Sequence, residues 1–401
     1  VDNPDSVLEP LPYHLELRAY LRSEEPELWN WFSSAQAKTD YAEKLRIELL
    51  KTTYRLDIES HPDLHASLNE VKARLNLDMP VTLYQAQNSP QQNATLFYMP
   101  GHGHIVFSGP VLTLLNPDEL KSVIAHELAH YHLWDRDHGE FHIADRLVNA
   151  MANDPRASAS HEQTARRYQL YTEIFADRGS LRASERIEPV VASLVKMETG
   201  LSNVSAASYL RQAAEIFANA GATTEGISHP EAFIRVRALS LWQQQGNASA
   251  PDVEQMIDGG IALDTLDLLS QKRLTSLTRR VLQQLLSPKW FQTPATLGHA
   301  RLFFADFQSG DGTDAALVEE LKTRDGKVRE YLCYLLLDFV HADPELEEAA
   351  LAAAFDLSRR LEIEAQFEKI VVKELKMRVR DVRRVKEQAS KILAKVEANS
   401  D

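Results

Sequence analysis

His126-Glu127-Leu128-Ala129-His130 sets two imidazoles one helical turn apart, with a carboxylate beside the first. On a helix His126 and His130 share a face and reach one metal ion, while Glu127 lies about 100° round and meets a water without ligating the metal. This is the chemistry of zinc-dependent peptide hydrolysis: the metal acidifies its water, and the glutamate takes the proton and later returns it to the leaving amine. Such a site needs a third protein ligand. Glu173 fits, in Tyr171-Thr172-Glu173-Ile174-Phe175-Ala176-Asp177-Arg178-Gly179. Asp177 falls one turn later on the same face, placed to orient a ligand histidine.

The elements that must hold these residues are legible nearby. Asn116 can cap a helix, Pro117 suits its first position, Asp118 and Glu119 suit its positive end, and Glu119 is spaced for a capping box. Nothing breaks that helix before Trp134. Val123, Ile124, Leu128 and Ala129 surround the histidines with apolar residues, which argues against a merely solvated face. His132, His138 and His142 read as structural or solvated, because Gly139 weakens the helix there and Asp135, Arg136 and Asp137 mark a polar surface. His102 and His104 flank Gly103 in an expected turn and stay outside the ligand set. Strands are expected at 80–84, 94–99 and 105–108. One of them should be an edge that holds an extended peptide by β-augmentation.

With these motifs in order, the chain resembles the family of HtpX and the CAAX prenyl endopeptidases, which are gluzincin-type zinc metallopeptidases. Two further stretches carry the likeness: Asn93-Ala94 upstream of 101–109, and His229-Pro230 followed by Arg235, Val236, Arg237 and Leu239. The resemblance spans roughly residues 60 to 240. It implies one Zn2+ per chain on His126, His130 and Glu173, with Glu127 as general base and Asp177 as support. It also implies His229 near the zinc, stabilising an oxyanion or occluding the resting site, Arg235 fixing that loop or assisting the oxyanion, and Asn93 and Ala94 on the substrate strand.

Of 401 residues, 44% are hydrophobic and 25% charged, with a formal net charge of −14, which indicates a globular chain with room for two or three domains and argues against nucleic-acid binding. Cys333, the single cysteine, excludes an intrachain disulfide framework and sits in an apolar run as a small buried hydrophobe. No stretch approaches the ~18 to 20 apolar residues of a membrane span, and no basic and hydrophobic leader opens the chain. Here it departs from HtpX and the CAAX proteases, so processing of prenylated proteins is not expected. A cytoplasmic location is; because the chain begins at Val1, export stays open.

The expected fold is α+β and predominantly helical: a zincin-like catalytic domain with a small β-sheet, followed by an all-α C-terminal domain. Residues 1–75 should be a helical segment on the catalytic core, with Leu45, Ile47, Leu49 and Leu50, then Leu64, Leu68, Val71 and Leu75 at helical spacing, and Trp29, Trp31 and Phe32 as packing residues. Residues 76–246 form the peptidase domain, the breaker-rich stretch 243–252 a linker, and 247–401 the helical domain, with turns at 310–312 and 325–326. Part of that half, 334–347 and 361–370, loosely resembles TerB-like helical domains, whose metal-binding acids Asp338, Asp343 and Glu347 would match; a solvated helix face is the simpler account. The basic stretch 376–386, with Val379, Val382 and Val385, should form an amphipathic helix docking on the chain's own acids, a partner or anionic lipid. The functional expectation is a soluble zinc endopeptidase for unfolded, damaged or partner-delivered proteins. The alternative is a chaperone-like adaptor on a slow, gated peptidase fold, against which the intact Glu127 speaks.

Overall fold

The computed structural model describes residues 8–220, 231–258, 263, 266–310, 315–322 and 326–400. The chain divides into two compact units, Val1–Gly259 and Gly260–Asp401. The stretch 243–252 remains inside the first, as the end of one helix, the 3-10 turn Gly246–Ser249 and the start of another helix. Two of its polar residues find partners inside the unit: the Trp242 indole donates to Asn247 at 3.3 Å, and the buried Ser249 hydroxyl donates to the Gly246 carbonyl at 2.8 Å.

In chain order the first unit comprises α1 (Pro12–Glu24), α2 (Pro26–Ser33), α3 (Ala35–Thr52), β1 (Thr53–Leu56), α4 (Pro62–Arg74), β2 (Val81–Ala86), β3 (Asn93–Met99), β4 (His102–Ser108), α5 (Val111–Leu114), α6 (Pro117–Asp135), α7 (Glu140–Ala152), α8 (Ala159–Ser184), α9 (Ile187–Thr199), α10 (Ala206–Ala220), α11 (Ala232–Gln245) and α12 (Ala250–Asp258). The four strands form one sheet in the order β1-β2-β4-β3, with β2 and β4 parallel and the other pairs antiparallel. Strand alternation sends Gly103, Ile105 and Phe107 of β4 to the face covered by α6, where Ile105 and Phe107 are fully buried. His102 and His104 therefore lie within a strand, not in the expected turn. Their rings stack at 4.3 Å on the other face, held by the Thr82 hydroxyl at 2.9 Å and the Tyr84 hydroxyl at 3.3 Å.

The N-terminal expectation needs refinement too. Leu45 and Leu49 of α3 pack on Val106 of β4, but Ile47 and Leu50 are exposed, as is Trp31, while Trp29 and Phe32 are buried. Strand β1 lies inside this mostly helical segment; four residues are too few for a period-2 pattern to stand out.

Helix α6 forms as its sequence predicts. Asn116 accepts from the Glu119 amide at 3.0 Å, and Glu119 returns the contact to the Asn116 amide at 2.9 Å. The same Glu119 oxygen takes a buried ion pair from Lys196 at 2.8 Å, fixing α9 to the start of α6. Helices α6 and α8 approach closely. A Cβ at Gly179 of α8 would stand 2.3 Å from Cβ of Ala129 on α6, so only glycine permits this spacing.

The second unit is all-helical: α13 (Leu268–Leu285), α14 (Pro294–Phe303), α15 (Ala315–Lys322), α16 (Gly326–His341), α17 (Glu347–Arg360), α18 (Glu364–Glu374) and α19 (Val379–Ser400). Most of the two expected turns, 311–312 and 325, lies outside the described residues. Cys333 is fully buried in this core. The basic stretch packs within its own unit: Val382, Val385 and Ala389 of α19 join the core, Arg384 pairs with Glu348, and Lys386 reaches Glu364 at 3.2 Å and Glu368 at 2.8 Å. Asp338 is taken by His299 at 2.6 Å, and Asp343 accepts from the Glu345 amide at 3.0 Å. Among the described residues these acids gather no metal-type cluster.

The close helix approach gives a direct test. In Gly179→Ala, overpacking of about 1–3 kcal/mol should outweigh the ~1 kcal/mol gain in helix propensity. Chemical denaturation should register a net loss, and adding Ala129→Gly should recover most of it. A Gly179→Ala protein as stable as the parent would mean that another contact sets the spacing.

Candidate active site

Helix α6 presents His126, Glu127 and His130, and α8 presents Glu173 and Asp177; the extended contact between these helices brings the two sets together. The Nε2 atoms of His126 and His130 stand 3.2 Å apart, His126 Nε2 is 3.5 Å from one oxygen of Glu173, and His130 Nε2 is 3.7 Å from the other. Ligands ~2.1 Å from a tetrahedral ion are separated by about 3.4 Å, so this donor set has the dimensions of a zinc site. Among the described residues it is the one such group of His, Cys, Asp and Glu.

Proton positions point the same way. His126 Nδ1 lies 3.0 Å from Asp177 Oδ1, a contact that places a proton on Nδ1 and aims Nε2 at the centre. Burial disfavours a charged imidazole here, but the hydrogen bonds to Asp177 and Glu173 outweigh it and push His126 up to about 10. His130 goes the other way: burial, then the charge on His126, hold it neutral, down to about 3. Its Nδ1 is buried without a protein partner, and its ring stacks on Trp134 at 5.4 Å.

Arg235, from α11, closes the arrangement. Its Nε donates to Asp177 Oδ2 at 2.7 Å, its Nη2 to Asp177 Oδ1 at 2.6 Å, and its Nη1 lies 3.3 Å from Glu173. Burial opposes both charges, yet this bidentate pairing holds the Asp177 carboxyl below its ordinary range and Arg235 firmly protonated. Glu127 is 6% exposed. Burial pushes its carboxyl up to about 7, and the charge on Glu173 adds to this, while His126, the Leu96 amide and Arg235 oppose it.

These residues line one cleft of ≈ 620 Å³, whose opposite wall is β3 from Asn93 to Leu96. Asn93 and Ala94 thus lie in it; His229 lies outside the described residues. His138 and His142 line a separate cavity with Tyr98 and Asp135, apart from the ligand set. Sequence reasoning missed Asp145, Asn149 and Gln169, which also line the main cleft. The signal for Gln169 was its place one turn before Glu173 on the same face of α8; Asp145 and Asn149, a turn apart on another helix, carried no distinguishing pattern.

Two histidines on one helix and a carboxylate on a second, with a buried glutamate beside them, are a donor set that could hold a metal ion, as a metallopeptidase requires. Residues 59–243 match the family described as Peptidase family M48, and the chain carries a domain of this family and is a metallopeptidase, a hydrolase of peptide bonds. It is 26% identical over 234 residues to the plastoglobule-localized metallopeptidase 48, chloroplastic, of Arabidopsis thaliana, covering 54% of this chain and 67% of that protein. It is 36% identical over 72 residues to the protease HtpX homolog of Aquifex aeolicus, covering 18% of this chain and 24% of that protein. No solved structure matches the chain. Among the described residues no helix is long and apolar enough to cross a membrane.

The bond between Asp177 and His126 sets an expectation for metal affinity. Asp177→Asn keeps the shape but weakens the support of the imidazole, and zinc affinity measured by chelator competition should fall about 10- to 100-fold. Unchanged affinity would remove Asp177 from the metal centre.

Proposed function

We propose that this chain is a zinc endopeptidase in which His126, His130 and Glu173 hold the ion, Glu127 is the general base, and an extended polypeptide lies along β3. The observation that carries this reading is the convergence of three ligand atoms beside a buried glutamate, in a cleft walled by an edge strand. Zinc bound there would acidify a water and polarise the scissile carbonyl. Glu127 accepts the proton of that water and delivers it to the leaving amine, a task suited to a carboxyl poised near neutrality. Arg235, with its donors committed to Asp177 and Glu173, acts as a positioning residue and not as an oxyanion donor. For His229, which lies outside the described residues, the proposed part is either to stabilise the oxyanion or to occlude the resting site.

The substrate class follows from β3. It pairs with β4 on one side and has no strand partner on the other among the described residues. A peptide added there is held chiefly through main-chain hydrogen bonds, which any extended segment can supply and a folded one cannot. Unfolded, damaged or partner-delivered chains, met in the cytoplasm, are therefore the proposed substrates, and the helical C-terminal unit is the proposed recruiter of partners.

The test compares the parent protein with Glu127→Gln. Both should hold about one zinc per chain. Casein cleavage should fall by about 10²- to 10⁴-fold in the variant, the contribution of general acid–base catalysis. Equal cleavage by both would remove Glu127 as the base; zinc binding without cleavage by either would favour the adaptor role.

A further inference from the structure

Three residues of the cleft stand apart from the metal centre. Gln169 Nε2 on α8 donates to Asn149 Oδ1 on α7 at 3.0 Å, and Asn149 Nδ2 donates to the carbonyl of Asp145 at 2.8 Å. The Asn149 amide also hydrogen-bonds the Asp145 carboxylate. This relay stands against a half-buried carboxylate on the cleft wall, which forms no ion pair with a lysine or arginine among the described residues. The neighbouring Arg146 stacks its guanidinium over Phe32 at 5.0 Å. Burial pushes the Asp145 carboxyl up to about 7, against the hydrogen bond from Asn149 and the charge of Arg146. A desolvated carboxylate held in this way gains most from an incoming cation.

The rest of the lining has the same bias. Glu127, Glu173, Asp177 and Glu198 share the cleft with Arg235 as its basic side chain, and Arg235 is committed to Glu173 and Asp177. The chain as a whole carries a formal charge of −14, which favours the approach of basic segments over acidic ones. Gln169 lies one turn before Glu173 on α8, a rise of about 6 Å, or roughly two residues of an extended peptide.

We infer that Asp145, positioned by Asn149 and Gln169, is the base of a specificity subsite that takes a lysine or arginine side chain of the substrate within about two residues of the cut. This rests on the endopeptidase reading, to which it adds a substrate preference: β3 accepts any extended backbone, and Asp145 selects a basic residue at one place along it.

The experiment uses the zinc-loaded full chain and paired fluorogenic peptides that differ only by lysine or norleucine, scanned through the positions flanking the cut. At one position the kcat/KM ratio should favour lysine on the order of tenfold and return close to unity in Asp145→Asn, with ratios elsewhere unaffected. No lysine preference at any position, or one that persists in Asp145→Asn, overturns the subsite. Should Asp145→Asn fail to fold by circular dichroism, Gln169→Leu is read instead, with the same ratio expected to drop. If the parent cleaves neither peptide nor casein, the endopeptidase reading is what fails. Fluorescence anisotropy on the same peptides then decides the subsite: lysine-selective binding lost in Asp145→Asn supports it, and equal or absent binding overturns it.

Discussion

The site depends on how Asp177 is neutralised. Glu173 and Asp177 sit one turn apart on the buried face of α8, two like charges in a place where either alone is costly. The fork of Arg235 grips Asp177 from α11, and His126 meets it from α6. One carboxylate thus joins three helices, and removing a partner from such a buried pair typically costs about 3–5 kcal/mol. The arrangement requires α6 and α8 to pass closely, which the missing side chain of Gly179 against Ala129 allows. Arg235 compensates Asp177 first; Glu173 is left with charge to share with whatever binds between the histidines.

That division of charge explains the chemistry. Asp177 holds a proton on His126 Nδ1 and so aims Nε2 at the centre, while His130 is held neutral by burial and by its neighbour. Glu127, one residue from the first ligand, turns instead toward the amide of Leu96 on β3. The proposed base is in this way tied to the strand that would hold the peptide, so that proton transfer and backbone binding share one wall of the cleft. Asp145, further along the cleft, has a different proposed task, selection among substrates.

Much of this centre was legible in the sequence because its signals are local. The cap at Asn116, the box with Glu119 and the turn-to-turn spacings of His126 with His130 and of Glu173 with Asp177 depend on helix geometry alone. Elsewhere the decisive contacts were distant in sequence. His102 and His104 lie in a strand because β2 supplies Thr82 and Tyr84 beside them, and 243–252 joins the first unit because Ser249 and Asn247 find buried partners. Ile47 and Leu50 have the spacing of core residues but face outward, since α3 covers the sheet only with Leu45 and Leu49. The placement of Arg235 on two carboxylates came from packing of α11 that no local pattern encodes.

The central claim is that His126, His130 and Glu173 meet on one ion. The most direct test is anomalous diffraction from crystals of the zinc-loaded full chain, with data on both sides of the zinc absorption edge. A single strong peak within bonding distance of the two Nε2 atoms and the Glu173 carboxylate, with Asp177 still on His126 Nδ1, is the predicted result. A peak elsewhere on the chain, or one that leaves Glu173 unbound, would contradict the account.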